Sequence, residues 1–151
     1  MKALPLFFLI LTLFGCKTKK NAEIRSTGDG SKLVATIGSA KEFNELDSAP
    51  FEVQSAKIVD NSLFLTIQFS GGCQEHDFQL IGSPAISKSL PPIRSMQLYH
   101  NSNNDACRGV LTKELEFDIS ALAYKQEDSS VIYLTMDGIE DRLTYTFTSS
   151  K

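Results

Sequence analysis

The chain has no tryptophan, no surplus of basic residues and no familiar catalytic motif. Its 4 tyrosines are scattered among 151 residues, so a platform of aromatic rings for sugar stacking is not indicated. The 15 basic and 18 acidic residues give a net charge of −3, which argues against a broad nucleic-acid-binding surface. The motifs G-x-S-x-G, G-x-x-x-x-G-K, G-x-G-x-x-G and H-E-x-x-H are all missing. We therefore predict a non-enzymatic protein with no catalytic residue and no cofactor.

The composition that remains is that of an ordinary globular protein, with 42% hydrophobic and 22% charged residues. Such a composition excludes collagen-like, coiled-coil and wholly disordered chains. The length fits a single folded domain. We predict a signal peptide at residues 1–15, a lipidated cysteine with a flexible tether at 16–31, and the folded domain at 32–151.

The first 16 residues carry the most specific pattern in the chain. Lys2 precedes the apolar run Ala3 to Phe14, which is too short for a membrane-spanning helix of about 20 residues. The run ends in Leu13-Phe14-Gly15-Cys16, which resembles the lipobox that signal peptidase II cleaves in bacterial lipoproteins. The resemblance implies cleavage before Cys16 and acyl chains, such as palmitate, on the sulfur and the freed amine of Cys16. Two or three such chains anchor a protein stably to a membrane.

Residues 16–31 are polar and contain almost no apolar side chain, which is typical of a flexible tether. By the lipoprotein resemblance, Lys17 stands where an Asp would cause retention in the inner membrane of enterobacteria. The tether also lacks the acidic cluster associated with surface export in Bacteroidetes. These features imply a cell-envelope protein that is lipid-anchored in the outer membrane and faces the periplasm. Its expected partners are that membrane and an unknown envelope protein or small ligand, and no nucleic acid.

From residue 32 onward, apolar and polar residues alternate in a way that is typical of half-buried strands. The predicted strands are Leu33 to Ile37, Phe51 to Val59, Leu63 to Phe69, Asp77 to Ile81, Ile93 to Tyr99, Leu115 to Ile119, Val131 to Met136 and Leu143 to Phe147. Asp60 and Asn61 suit a hairpin turn, and short helical turns are expected at 39–46 and 120–123. We predict an all-β fold, an antiparallel β-sandwich of seven or eight strands, with a small β-barrel as the alternative.

If Cys16 is lipidated, two cysteines remain, and an oxidising compartment favours their pairing. We predict a Cys73–Cys107 disulfide that stabilises the fold by about 4 kcal/mol. Strand parity places His76 with Phe78, and His100 with the apolar residues that precede it. Both imidazoles are therefore expected on the core side of a sheet.

The residues around this pair read G-G-C-x-x-H-x-F from Gly71 and H-N-x-x-x-D-x-C from His100. Both segments resemble small uncharacterised lipoproteins of Bacteroidetes, a likeness that names no activity. In the preferred interpretation the disulfide is structural, and backbone carbonyls or the carboxylates of Asp77 and Asp105 satisfy the histidines.

Two other interpretations stay open. The two cysteines and two histidines are a possible ligand set for zinc, although the spacing C-x2-H with H-x6-C is unusual for a structural zinc site. Alternatively the disulfide forms, and His76 and His100 hold a metal or act as a base together with Asp105 or Glu75. We predict a non-catalytic, acyl-anchored binding or assembly module, and the alternative is a metal-binding or hydrolytic envelope protein that uses the two histidines.

Overall fold

The computed structural model describes residues 32–149. Its strands are β1 (Leu33–Val34), β2 (Thr36–Ile37), β3 (Glu52–Val59), β4 (Ser62–Gly71), β5 (Asp77–Gly82), β6 (Ile93–Asn101), β7 (Gly109–Asp118), β8 (Val131–Thr135) and β9 (Leu143–Thr146). Helix α1 covers Ala40–Asn44 and a 3-10 turn covers Ser120–Leu122, which confirms both predicted helical turns. The predicted lipobox and tether lie outside the described residues. No helix within 32–149 is long and apolar enough to cross a membrane.

The strands form two sheets that pack face to face as a sandwich and do not close into a barrel. One sheet has four strands in the order β1-β7-β4-β3, and the other has five in the order β2-β5-β6-β8-β9. The all-β sandwich is therefore confirmed. The sheets are mixed rather than purely antiparallel, because β1 runs parallel to β7, β2 to β5 and β6 to β8. In these parallel pairs only a few residues of each strand are paired. The alternation of apolar and polar residues predicts a strand but does not show in which direction it pairs with its neighbour.

The core follows from the alternation along the strands. In β4, the side chains of Leu63, Leu65 and Ile67 are at most 1% exposed, whereas Phe64 between them is 40% exposed. β7 buries Leu115 and Phe117 in the same way. Because successive side chains of a strand point to opposite faces, one face of each sheet supplies the apolar layer between the two sheets.

The predicted strand Leu33 to Ile37 is in fact two strands, one in each sheet. Leu33 pairs with Phe117 in the four-stranded sheet, and Thr36 pairs with Ile81 in the five-stranded sheet. The chain crosses between the sheets at Ala35, which is 1% exposed and donates its N–H to the carbonyl of Asp118 at 2.8 Å. A small side chain fits this buried crossing.

Helix α1 begins with a capping box that its sequence encodes. The N–H of Glu42 donates to the hydroxyl of Ser39 at 3.1 Å, and the carboxylate of Glu42 accepts from the N–H of Ser39 at 3.2 Å. The two bonds satisfy N–H groups that a helix start leaves without an internal partner. Helix α1 lies in the connection between β2 and the segment that runs beside β6.

Candidate functional site

Two loops meet at one end of the sandwich, and both connect one sheet with the other. The first joins β4 to β5, and the second joins β6 to β7. They start and end at paired positions, since Gly71 pairs with Gly109 and Asp77 pairs with Asn101. A disulfide between Cys73 and Cys107 links them, with the two Cα atoms 5.8 Å apart.

The carboxylate of Asp105 holds the two loops together. Its Oδ1 accepts the N–H of Cys107 at 2.8 Å, within its own loop. Its Oδ2 accepts the N–H groups of Gly72, Cys73 and Gln74 at 2.8, 2.9 and 3.1 Å, across the junction. The side chain itself is fully buried. These N–H groups, that of Cys107 first and that of Cys73 next, hold the pKa of Asp105 well below its ordinary value, because they bind the charged form.

The two histidines extend this network into the core. Nε2 of His76 lies 3.2 Å from Oδ2 of Asp105, and Nδ1 of His76 lies 2.7 Å from Nε2 of His100. Nδ1 of His100 lies 3.2 Å from the carbonyl oxygen of Ala49. The result is a continuous chain of contacts from a carboxylate, through two imidazoles, to a backbone carbonyl.

This chain has acceptors at both ends, which fixes how many protons it holds. The carboxylate of Asp105 and the carbonyl of Ala49 have no hydrogen to donate, so each of the three contacts needs one hydrogen from the imidazoles. Two neutral imidazoles carry only two N–H hydrogens between them. The network is complete when the pair shares three: one on Nε2 of His76, one on Nδ1 of His100, and one between the two facing nitrogens.

Charge is then balanced inside the network. Burial lowers the pKa of His100, which is 1% exposed, so the hydrogen between the two rings is assigned to Nδ1 of His76. His76 is the imidazole beside the anionic Asp105, and its side chain is 2% exposed. A buried ion pair of this kind is tolerated because the remaining hydrogen-bonding atoms also have partners.

Aromatic rings enclose both imidazoles. Phe78 stacks on His100 with a 10° interplanar angle and 4.7 Å between ring centres. Phe69 lies 4.8 Å from His76 and 5.0 Å from His100, measured between ring centres. The ammonium group of Lys113 lies over the ring of Phe78, 5.2 Å from its centre. The rings fix the orientation of the imidazoles and exclude water from them.

The close packing also explains a glycine. A Cβ atom added to Gly71 would lie 2.7 Å from the His76 imidazole and 3.0 Å from Oδ2 of Asp105. Both distances are too short for a side chain in this rigid surrounding. Gly71 therefore allows the end of β4 to lie directly against the His76–Asp105 contact.

The structure brings together His76, His100 and Asp105, as the third interpretation of the sequence groups them. Glu75 is exposed, and its backbone carbonyl accepts from the side-chain amide of Asn103 at 2.8 Å. The carboxylate of Asp77 accepts from the same amide at 2.9 Å rather than from a histidine. Glu75 and Asp77 therefore bind Asn103 of the β6–β7 loop rather than the imidazoles.

The zinc interpretation is not compatible with the geometry of the oxidised protein. The sulfurs of Cys73 and Cys107 are bonded to each other, so they are not free to bind an ion. The facing nitrogens of His76 and His100 are 2.7 Å apart, which is a hydrogen-bond distance and leaves no place for a metal between them. Cys16, the predicted lipidation site, lies outside the described residues.

Two residues that hydrogen-bond to the backbone of His100 could not be predicted from the sequence. Ser48 accepts the backbone N–H of His100 with its hydroxyl at 2.9 Å, and Ala49 donates its own N–H to the carbonyl of His100 at 2.8 Å. The segment before β3 thus pairs with the end of β6. Nothing in its composition marks it as a strand, because the pairing involves two residues only.

The histidine network lies in the packed interior, because His76 is 8% and His100 1% exposed. Among residues 32–149, one surface groove is lined by the β3–β4 turn and β4, including Asn61 and Phe64, and another by Phe51, Glu52 and Asp137. The Phe51 ring packs edge-on against His100, with 6.2 Å between ring centres. The imidazoles themselves line neither groove.

The family model described as NigD-like C-terminal beta sandwich domain matches residues 34–149. The chain belongs to this family. The NigD-like domain thus includes β2 to β9, the last residue of β1 and the whole Asp105–His76–His100 network. The resemblance to Bacteroidetes proteins is confirmed at the level of this domain, whereas the lipobox stays a prediction.

Solved structures share the fold of the NigD-like domain. A NigD-like immunity protein from Bacteroides caccae ATCC 43185 superposes with a TM-score of 0.51 and 16% identity over 76% of this chain and 59% of that one. A protein of unknown function, DUF1344, from Bacteroides vulgatus ATCC 8482 gives 0.50 and 15% over 80% and 58%. The chain thus spans less than two thirds of the length of either structure. No curated protein matches it.

Proposed function

We propose that this NigD-like chain is a non-catalytic binding module of the bacterial cell envelope and that its ligand is a protein. The observation that carries the proposal is the hydrogen-bonding of the two histidines. Both ring nitrogens of His76 and both of His100 contact another group of the fold. Of the described residues, these were the strongest candidates for chemistry, and their geometry makes them part of the scaffold.

A general base needs a nitrogen lone pair within hydrogen-bond reach of a substrate. Nε2 of His100 is occupied by His76, and Nε2 of His76 faces Asp105. Aromatic side chains cover the faces of both rings. A substrate would have to displace core residues to reach either imidazole, which argues against the metal-binding or hydrolytic alternative in the oxidised protein.

The name of the Bacteroides caccae structure supports a protein ligand, since it is called an immunity protein. An immunity role for this chain means binding another protein and blocking its action, for which a rigid sandwich with exposed side chains suffices. The outward face of the four-stranded sheet carries apolar side chains that are at least 40% exposed, at Val34, Val59, Phe64 and Val110.

A lipid on Cys16 is the second part of the proposal and rests on the lipobox resemblance of Leu13-Phe14-Gly15-Cys16. With residues 16–31 as a tether, the sandwich would be held near the periplasmic face of the outer membrane and still turn toward a partner. Membrane attachment raises the local concentration of a binding module without any change in its contacts.

The experiment compares the natural chain with Cys16→Ser in the producing bacterium. We expect the natural chain to incorporate labelled palmitate and to sediment with membranes, and Cys16→Ser to remain unlabelled. Because an uncleaved leader would by itself hold Cys16→Ser at the membrane, the lipid label is the deciding measurement. A natural chain without label, or equal labelling of both chains, would contradict the anchor.

Binding is tested separately. A protein crosslinked to the natural chain in intact envelopes is purified and titrated against both forms of the chain. We expect equal affinity for the natural chain and for Cys16→Ser, because the anchor does not contribute to the contact. Stoichiometric zinc in the oxidised chain, lost in His76→Ala or His100→Ala, would instead favour the metal-binding alternative.

A further inference from the structure

The junction of the β4–β5 and β6–β7 loops contains three side chains with donor atoms that metals bind. Two of these atoms, the cysteine sulfurs, are bonded to each other in the oxidised protein. The sulfurs of Cys73 and Cys107 and a carboxylate oxygen of Asp105 all lie within 4.8 Å of one another. Cys73 is exposed, so a reductant can reach the disulfide from solvent. Thiolate and carboxylate are both ligands of zinc in proteins.

We propose that reduction of the Cys73–Cys107 disulfide turns this junction into a binding site for one thiophilic divalent cation, such as zinc. The two thiolates and the carboxylate of Asp105 are its protein ligands. The fourth position of the tetrahedron faces solvent, beside the exposed Cys73, and takes a water molecule.

The distances allow this exchange with little movement of the backbone. Tetrahedral zinc with Zn–S bonds of about 2.3 Å places two sulfurs about 3.8 Å apart. The Cα atoms of Cys73 and Cys107 are 5.8 Å apart, and each cysteine can move its sulfur by rotation about its Cα–Cβ bond. The ladder pair of Gly71 with Gly109 keeps the two loops in place at the same time.

Charge favours the same exchange. A disulfide is neutral, and two thiolates with one divalent cation are also neutral, so the reaction adds no net charge to the junction. A monovalent ion with two thiolates would leave a net charge at the junction.

Asp105 has one oxygen suited to the ion. Oδ2 already receives three backbone N–H groups and the imidazole of His76, whereas Oδ1 receives the N–H of Cys107 alone among the described contacts. Oδ1 therefore keeps a lone pair for the metal. His76 then acts as a positioning residue, because ligating carboxylates are themselves oriented by hydrogen bonds.

The reaction balances with a phosphine as reductant. Phosphorus supplies two electrons, the S–S bond breaks, each sulfur takes one proton from water, and the phosphine takes the oxygen to become a phosphine oxide. When zinc binds, each thiol releases its proton to the buffer. Two protons are therefore released for each zinc bound.

The test uses the full chain carrying Cys16→Ser, so that Cys73 and Cys107 are the only thiols. Zinc is titrated against a chromogenic chelator, before and after treatment with tris(2-carboxyethyl)phosphine. We expect one zinc per reduced chain, bound at least about 100-fold more tightly than by the oxidised chain, with the release of two protons. Equal affinity of the two forms, or unfolding of the reduced chain that zinc does not reverse, would overturn the proposal.

Variants identify the ligands. We expect Cys107→Ser and Asp105→Asn each to weaken zinc binding by about 10-fold or more, and the control Glu75→Gln, an exposed carboxylate in the β4–β5 loop that also carries Cys73, to leave it unchanged. If Glu75→Gln weakens binding as much as Asp105→Asn does, the ligand assignment is wrong. Binding of Co²⁺ in place of zinc tests the site without any substitution in the two loops. We expect a sulfur-to-cobalt charge-transfer absorption band in the reduced chain, and its absence would overturn the proposal.

Discussion

Asn61 binds both backbone groups of Thr148, although 87 residues separate them in the sequence. Its Nδ2 donates to the Thr148 carbonyl at 2.6 Å, and its Oδ1 accepts the Thr148 N–H at 3.1 Å. The hydroxyl of Tyr145 donates to the same Oδ1 at 2.9 Å. Asn61 thus fastens the β3–β4 turn to the end of β9, at the opposite end of β4 from the disulfide.

We expect Asn61→Ala to lower the free energy of unfolding by about 1–3 kcal/mol, because it removes the side-chain oxygen that accepts from the buried Tyr145 hydroxyl. Burial raises the pKa of Tyr145 to about 12, so this hydroxyl is a donor at neutral pH. Tyr145→Phe alone should cost about 1 kcal/mol. Urea unfolding of both single variants and of the double variant measures the coupling.

In the double variant both members of the Asn61–Tyr145 hydrogen bond are absent, so its cost should be smaller than the sum of the two single costs by about 0.5 kcal/mol or more. Strictly additive costs would show that the Asn61–Tyr145 contact does not contribute to stability.

A second prediction tests the register of β4. Leu63→Ala should cost about 2–5 kcal/mol in unfolding free energy, because Leu63 is fully buried and the substitution leaves a cavity. Phe64→Ala is the matched control, since Phe64 is the next residue and is 40% exposed on the opposite face. It should cost no more than about 1 kcal/mol. A larger cost at Phe64 than at Leu63 would mean that the strand faces are reversed.

Much of this fold could be predicted from the sequence because the strands alternate strictly. The odd-numbered residues of β4 are apolar and buried, and the core-side position of both His76 and His100 follows from the same parity. The pairing of strands could not be predicted in the same way. A two-residue strand such as Leu33–Val34 contains no period, and the change of sheet at Ala35 depends on tertiary contacts.

For the candidate site, the residues could be predicted from the sequence but their atomic contacts could not. Spacing in the sequence indicates that His76, His100 and Asp105 lie on neighbouring loops and strand ends, but it does not show which nitrogen faces which atom. The carbonyl of Ala49, which completes the network, belongs to a segment with no regular pattern. The number of protons on the imidazole pair depends on that carbonyl, so it follows only from the three-dimensional structure.

Acid should destabilise the protein in two stages. The pKa of His100 is lowered by burial, so below its ordinary value of 6.5 the unfolded chain binds a proton that the folded chain does not. The pKa of Asp105 is lowered by N–H donors, so its contribution is complete above 3.8 and is lost as the pH falls below that value. Stability should therefore decrease with decreasing pH in both windows, as measured by urea unfolding across the acid range.

Variants separate these two stages. His100→Gln should flatten the dependence in the upper window, and Asp105→Asn should flatten it in the lower one. An unfolding free energy that stays constant or rises between neutral pH and about pH 5 would contradict the assignment of a lowered pKa to His100.

The disulfide has a stability prediction of its own. Cys73 and Cys107 are 34 residues apart, so replacement of both by Ser should cost about 4 kcal/mol through the freedom gained by the unfolded chain. Mass analysis comes first: the purified protein should be about 2 Da lighter than its reduced form. Two free thiols in the purified protein, or a double variant as stable as the natural chain, would be inconsistent with this account.

The central claim is that the two histidines are structural and satisfy each other inside the fold. Long-range proton–nitrogen NMR of the imidazole rings near neutral pH tests this claim directly. The account predicts hydrogens on both nitrogens of His76 and on Nδ1 of His100, with Nε2 of His100 as the bare nitrogen. A His76 ring with a bare nitrogen, or a His100 ring that exchanges between tautomers, would contradict it.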